Sequence, residues 1–328
     1  MTQFTFNDKR FNCDKDESVL DALLKAGISI PYSCKNGVCK TCMVQCKNGN
    51  INTDAQAGLR DTLRELGYAL ACQCFPEDNS TYTLGNESDL FGRVVVREKE
   101  LINLQVCKLL LESSTPLYYH AGQFINLRRK DGLIRSYSLA SHPQQHNLLE
   151  LHVNRKTNGK MSNWIFDSLS IGDKLDYQGP NGSCFYLTGN QSQPMLLIGN
   201  GTGLAPLLGI IRDALFNHHK GDIYLYHGSR YQEGLYLHDY LCKLDKLHER
   251  FFYTPCLSSD QRIDGFLSGR ANDIAITKHE DLTNWRVYLC GIPDMVHSTQ
   301  KLVYLKGARL DDIYSDPFEL TDLRLQAR

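Results

Sequence analysis

The chain lacks any apolar run approaching the roughly 20 residues that cross a bilayer as a helix, so no membrane segment is expected. Its first residues, MTQFTFNDKRF, lack the basic-then-apolar pattern of a secretion signal, which points to the cytoplasm. It lacks an excess of either charge: 36 Lys and Arg against 37 Asp and Glu leave a net charge of −1, without the basic footprint of a nucleic-acid binder. Internal repeats and low-complexity tracts are also absent, and 328 residues then suggest two or three domains with ample core. Cysteine, by contrast, is plentiful. Twelve cysteines in a chain without a secretion signal point to a reducing compartment, where metal binding and catalysis account for some of them and buried packing for the rest.

Four of these stand out by spacing. Cys34, Cys39 and Cys42 lie in PYSCKNGVCKTC as C-x4-C-x2-C, and 29 residues separate Cys42 from Cys72. Three thiolates on a tight loop plus one distant thiolate can wrap two irons, whereas zinc more often takes two short Cys or Cys/His knuckles. Zinc and free thiols are the competing readings. Gly37 falls where the backbone must curl to turn N–H groups toward sulfur. The spacing and the loop closely resemble plant-type [2Fe–2S] ferredoxins. The segment ALACQCF offers both Cys72 and Cys74 as fourth ligand. The family's leucine-x-cysteine context selects Cys72, leaving Cys74 and Cys46 as ordinary residues. Lys40 stands between the second and third thiols, where relatives usually carry a small residue. With Lys35 it makes the loop locally basic, read either as solvated lysines or as a docking surface for an acidic partner.

The residue pattern changes along the chain in three stages. Residues 1–88 combine a strand pair around Asn7-Asp8 with a helix over 18–26, capped by Ser18 and stopped by Gly27. The polar NESDL, 86–90, reads as a linker. Residues 89–190 carry β-branched or alternating runs at 92–97, 101–111, 123–127, 136–139 and 148–153, with one helix over 162–169, and imply an antiparallel barrel. Residues 191–328 alternate apolar strands with helices and imply a parallel α/β sheet.

Two further motifs carry chemistry. Arg135-Ser136-Tyr137-Ser138 lies on a barrel strand, and Gly159-Lys-Met161-Ser162 opens the barrel's helix. A helix N-terminus with a Ser hydroxyl suits a phosphate, and an arginine can pair with the same pyrophosphate. Tyr137 can lie against a flat ring, with Ser138 hydrogen-bonding near its reactive edge. In the third segment, GNGTGLAP (199–206) is a glycine-rich turn from strand to helix. Gly201, Thr202 and Gly203 there let backbone approach a pyrophosphate. Cys290-Gly291 ends an apolar strand at the sheet edge where ligands collect.

These motifs, in this order and spacing, resemble the ferredoxin–NADP reductase superfamily, over nearly the whole chain. The resemblance implies a β-grasp ferredoxin domain, a six-stranded antiparallel FAD barrel and an α/β NAD(P) domain. It implies that Arg135, Tyr137, Ser138, Gly159, Met161 and Ser162 bind FAD. Gly201, Thr202, Gly203, Arg230, Cys290 and Gly291 bind the nicotinamide cofactor, with Ser138 and Cys290 at hydride transfer and Phe318 as the aromatic near the flavin. Arg230 suits either nucleotide, with NADH favoured over NADPH. With the ferredoxin domain at the N-terminus, the chain is similar to reductase components of multicomponent bacterial oxygenases, and is expected to be a monomer. Such proteins take a hydride from NAD(P)H onto flavin and pass single electrons through the cluster to a separate protein. The other readings are a different acceptor (a deoxysugar dehydratase, a P450 or a desaturase), a free-standing flavin or quinone reductase, and a non-catalytic redox sensor.

Overall fold

The computed structural model describes residues 1–259 and 262–318. Strands β1 (Thr2–Phe6), β2 (Lys9–Cys13), β3 (Met43–Asn48), β4 (Tyr68–Leu70) and β5 (Thr81–Leu84) form a mixed sheet in the order β2-β1-β5-β3-β4. The β1–β2 hairpin turns at Asn7 and Asp8, both at positive φ (46° and 64°), a conformation that Asn and Asp tolerate better than most residues. The helix Val19–Lys25 packs on this sheet, and the Ser18 hydroxyl accepts from the Asp21 N–H at 3.1 Å as its N-cap. The expected linker is a short helical turn, Glu87–Leu90. The Tyr68 hydroxyl holds it, donating to Asp89 at 2.9 Å and accepting from the Asn86 N–H at 2.9 Å.

The second sheet contains β6 (Gly92–Leu101), β7 (Val106–Ser113), β8 (Phe124–Arg128), β9 (Ile134–Ser138), β10 (Leu149–Asn154) and β11 (Lys174–Asn181), in the order β10-β7-β6-β11-β8-β9. A bridge between Leu139 and Leu151 joins its two edges, so the sheet closes into a barrel. The expected run over 101–111 is in fact a hairpin corner followed by a strand. Asn103 accepts from the N–H groups of Gln105 and Val106 and makes the turn there, the local side-chain bond that takes Asn out of strands.

The third sheet is parallel throughout: β12 (Met195–Asn200), β13 (Ile223–Ser229), β14 (Phe251–Leu257), β15 (Leu267–Ser268), β16 (Arg286–Gly291) and β17 (Ile313–Pro317), ordered β15-β14-β13-β12-β16-β17. Its central strands are buried on both faces, which is why they read as continuous apolar runs. The glycine-rich turn leads into the helix Leu204–Phe216. A Cβ on Gly203 would sit 2.3 Å from the Cys290 carbonyl oxygen, so only glycine lets this helix start so close to β16. Gly203→Ala is expected to cost roughly 1–3 kcal/mol, the usual range for overpacking, read as a lower denaturation midpoint.

Candidate functional site

The loop before β3 curls because Lys35, Gly37 and Lys40 all sit at positive φ (57°, 75° and 58°). That curl aims backbone donors at sulfur: the N–H groups of Asn36 and Cys39 each lie 3.3 Å from Cys34 Sγ, and the Cys34 N–H lies 3.4 Å from Cys39 Sγ. The Thr41 hydroxyl is 3.0 Å from Cys39 Sγ. Cys72 follows β4, and its thiol meets that of Cys42, while Cys34 meets Cys39. Among the described residues no group of three or more His, Cys, Asp or Glu surrounds one point suited to a single metal ion. Two pairs of thiols, one for each of two irons, are the donor set a two-iron cluster needs. Cys74 points elsewhere: it donates to the Tyr82 hydroxyl at 3.5 Å, and burial pushes its pKa up to about 11.

Of the two loop lysines, Lys35 stays partly exposed and Lys40 is buried, unlike a solvated or docking residue. Lys35 pairs with Asp21 at 2.6 Å. Lys40 is only 8 % exposed and donates inward to the carbonyls of Gly37 (2.7 Å) and Ala57. Its long stem reaches a pocket closed by the 53–59 turn, so it presents no charge to a partner.

A buried hydrogen-bond chain joins the cysteine loop to the barrel. Asn126 on β8 donates to the Cys39 carbonyl (2.7 Å) and to Gln178 (2.8 Å), and accepts from the Ser136 hydroxyl (2.7 Å). Ser136 lies between Arg135 and Tyr137, so one side chain links that motif to the cysteine loop. Nothing in the sequence marked Asn126, whose partner is 87 residues away. Asn126→Ala strips partners from two buried groups and should cost on the order of 2–4 kcal/mol. A denaturation midpoint equal to that of wild type would contradict it.

A single cleft of about 1250 Å³ runs from Cys34 and Cys39 past Arg135–Ser138 and the helix start at 159–162 to the glycine-rich turn and Phe318. Arg135 donates to the Ile134 carbonyl at 2.7 Å and has no carboxylate partner among the described residues. With Lys156 and Lys160 it gives this part of the cleft three cations, which fits a diphosphate. Gly159 leaves the helix start open, since a Cβ would crowd Ser162 Oγ at 2.3 Å and Lys156 Cβ at 2.9 Å. The Ser162 hydroxyl is already engaged: it accepts from the Lys156 N–H at 3.1 Å and donates weakly to the Gly159 carbonyl. Met161 lines the cleft beside it. Tyr137 borders the cleft, and burial raises its phenol pKa.

At the nucleotide end, Gly201 has φ 50° and open space where a Cβ would be, and Thr202 lines the cleft beside it. His227 is fully buried and lies 3.1 Å from the Gly201 carbonyl, and burial lowers its pKa to about 4. A neutral ring therefore steadies the turn. Arg230 and Arg270, with Ser229 and Ser258, line the far end; the sequence reading had missed Arg270.

Cys290 is not among the residues that line the cleft. Its sulfur is fully buried, 3.7 Å from Cys184 Sγ, and burial raises its pKa. Because β16 is covered on both faces, the thiol packs into the core and Gly291 reaches the cleft instead. Asp316 on β17, a strand absent from the sequence pattern, lines the cleft beside Ser138. The Ser138 hydroxyl donates to its carboxylate at 3.1 Å, and burial raises its pKa to about 6. Phe318 follows, its N–H donating to the Gly291 carbonyl at 2.7 Å.

Three family models match in chain order: a 2Fe-2S iron-sulfur cluster binding domain over 4–77, an oxidoreductase FAD-binding domain over 93–186, and an oxidoreductase NAD-binding domain over 197–301. The chain is 34% identical over 308 residues to the reductase subunit of an aromatic O-demethylase from an Amycolatopsis species, covering 89% of this chain and 91% of that protein. It is 29% identical to the ferredoxin–NAD(P)+ reductase component of a Pseudomonas putida naphthalene 1,2-dioxygenase system, with 92% and 93% covered. Among solved structures, an Amycolatopsis cytochrome P450 reductase superposes with a TM-score of 0.70 at 30% identity, covering 97% of this chain and 99% of that one.

Proposed function

The chain belongs to the reductases that join 2Fe-2S, FAD-binding and NAD-binding domains, and from that premise we propose that it carries electrons from NADH to the terminal component of an aromatic-ring or hydrocarbon oxygenase. As a member of that family it is an NAD(P)H oxidoreductase that binds a [2Fe–2S] cluster, FAD and NAD(P)H and serves a protein partner. When bound, the flavin accepts a hydride and the cluster carries single electrons, so that each NAD(P)H yields NAD(P)+, one proton and two electrons. The domains divide at 88/89 and 190/191, and the protein works as a cytoplasmic monomer. Cys34, Cys39, Cys42 and Cys72 hold the cluster. Arg135, Lys156 and the helix start at Gly159–Ser162 hold the FAD diphosphate, and Tyr137 and Ser138 orient its ring. Gly201–Gly203 and Arg230 hold the nucleotide. Gly291, Asp316 and Phe318 shape the space where nicotinamide meets flavin.

The observation that carries this reading is the single cleft touching all three motif sets, because electron transfer needs its donors and acceptors close and fixed. The test is anaerobic reduction of the cofactor-loaded protein by NADH, followed by mixing with purified oxygenase components. Fast bleaching with no transfer to any oxygenase would leave the reductase and remove the proposed partner class. A P450 acceptor is the second reading, favoured because the P450 reductase structure matches nearly end to end; a P450 in the same assay separates the two.

Arg230 and Arg270 together bear on nucleotide choice. Two guanidinium groups would grip a 2′-phosphate where one is present, so comparing the two nucleotides tests the NADH reading. If NADPH is used, Arg270→Ala should lower its kcat/KM roughly tenfold or more, since a charged hydrogen bond contributes about 1.5–3 kcal/mol, and should leave that for NADH nearly unchanged. Equal loss with both nucleotides would assign Arg270 to the shared diphosphate.

A further inference from the structure

We propose that Lys40 is a buried counter-ion of the iron–sulfur site and raises the reduction potential of the cluster. The inference rests on the assignment of Cys34, Cys39, Cys42 and Cys72 as ligands. Lys40 lies between two of those ligands in sequence, in a left-handed conformation (φ 58°) that is uncommon for a side-chain-bearing residue. It is 8 % exposed. Its hydrogen bonds go to neutral acceptors, the carbonyls of Gly37 and Ala57, and among the described residues it forms no ion pair with a carboxylate. Its two acceptors place the ammonium between the cysteine loop, at Gly37, and the turn at Ala57. The turn opposite is shaped around it: Gly58 has φ 66°, and a Cβ there would stand 3.1 Å from the ammonium nitrogen.

A buried ammonium without a carboxylate is costly unless some other anion offsets it. A two-iron cluster with four thiolates is that anion. It is negative when oxidised and one unit more negative when reduced, so a fixed positive charge beside it favours the reduced form. Lys35 is the internal contrast. It is more exposed and already paired with Asp21, so solvent and its partner cancel most of its field. A purely mechanical role, tying the loop to the 53–59 turn through two carbonyls, would leave the potential where it is.

The test is a redox titration followed by electron paramagnetic resonance on cofactor-loaded wild type, K40M, K40Q, K40R and K35M, at low and high salt. K40M and K40Q are expected to lower the reduced-to-oxidised ratio at fixed poise at least tenfold, a midpoint fall of about 59 mV for one electron. K40R and K35M should stay within threefold of wild type. The shift should persist at high salt, because buried charges are screened little. K40M and K40Q midpoints equal to wild type, with lowered melting temperatures, would overturn the proposal and leave Lys40 a clamp. A K40R shift as large as that of K40M would also overturn it. If the uncharged variants take up no cluster, the wild-type midpoint decides: a value at or below that of plant-type ferredoxins overturns the proposal, and a higher one supports it. Wild type lacking iron and sulfide would overturn the ligand assignment itself, a failure distinct from an unmoved potential.

Discussion

Cys72→Ser is expected to bring NAD(P)H-driven reduction of cytochrome c close to background while leaving reduction of ferricyanide largely intact. Cytochrome c is a protein-sized acceptor of single electrons and requires the cluster as exit. Ferricyanide is small enough to enter the cleft and oxidise flavin directly. The serine keeps the volume at a buried site, so the fold should survive, and iron content with circular dichroism separates loss of cluster from loss of fold. Cys74→Ser is the matched control. Its thiol faces Tyr82 rather than Cys42, and it should retain cluster and activity. A Cys74 variant that loses iron, with a Cys72 variant that keeps it, would reverse the ligand assignment.

The second large effect centres on Asp316. Hydride departure leaves the nicotinamide ring positively charged, and a carboxylate in the cleft stabilises that charge only when ionised. With a folded pKa of about 6, wild-type flavin reduction should rise with pH through about 6 and then level off. Asp316→Asn should remove that step and slow reduction on the order of 10²-fold, the scale for losing one preorganised electrostatic partner. Stopped-flow reduction across pH 5–8 reads both. An unchanged rate and profile would place Asp316 outside the chemistry. The same shift has a stability consequence. The folded state holds this proton more tightly than the unfolded chain, so the carboxylate becomes destabilising as pH rises from about 4 through about 6. The asparagine variant should therefore melt above wild type beyond pH 6 and converge with it below about pH 4. The reverse order would mean that the Ser138 hydrogen bond outweighs burial.

The sequence by itself determined the three domains in order, the barrel and the parallel sheet, and the cysteine and glycine motifs, because each is local. A C-x4-C-x2-C loop, an R-x-Y-S strand and a G-x-G-T-G turn bring their groups together within a few residues. Alternation and apolar runs report which faces of a strand are covered. Tertiary structure alone decided the rest. Lys40 reads as a surface charge in any window of sequence, and only the 53–59 turn folding over it makes it a buried one. Cys290 reads as a residue at the cleft, and the cover on both faces of β16 turns its thiol into the core. Asn126 and Asp316 carry no motif, since their partners, Cys39 and Ser138, lie 87 and 178 residues away. Burial and long-range hydrogen bonds depend on which distant segments pack together, and that information is spread over the whole chain.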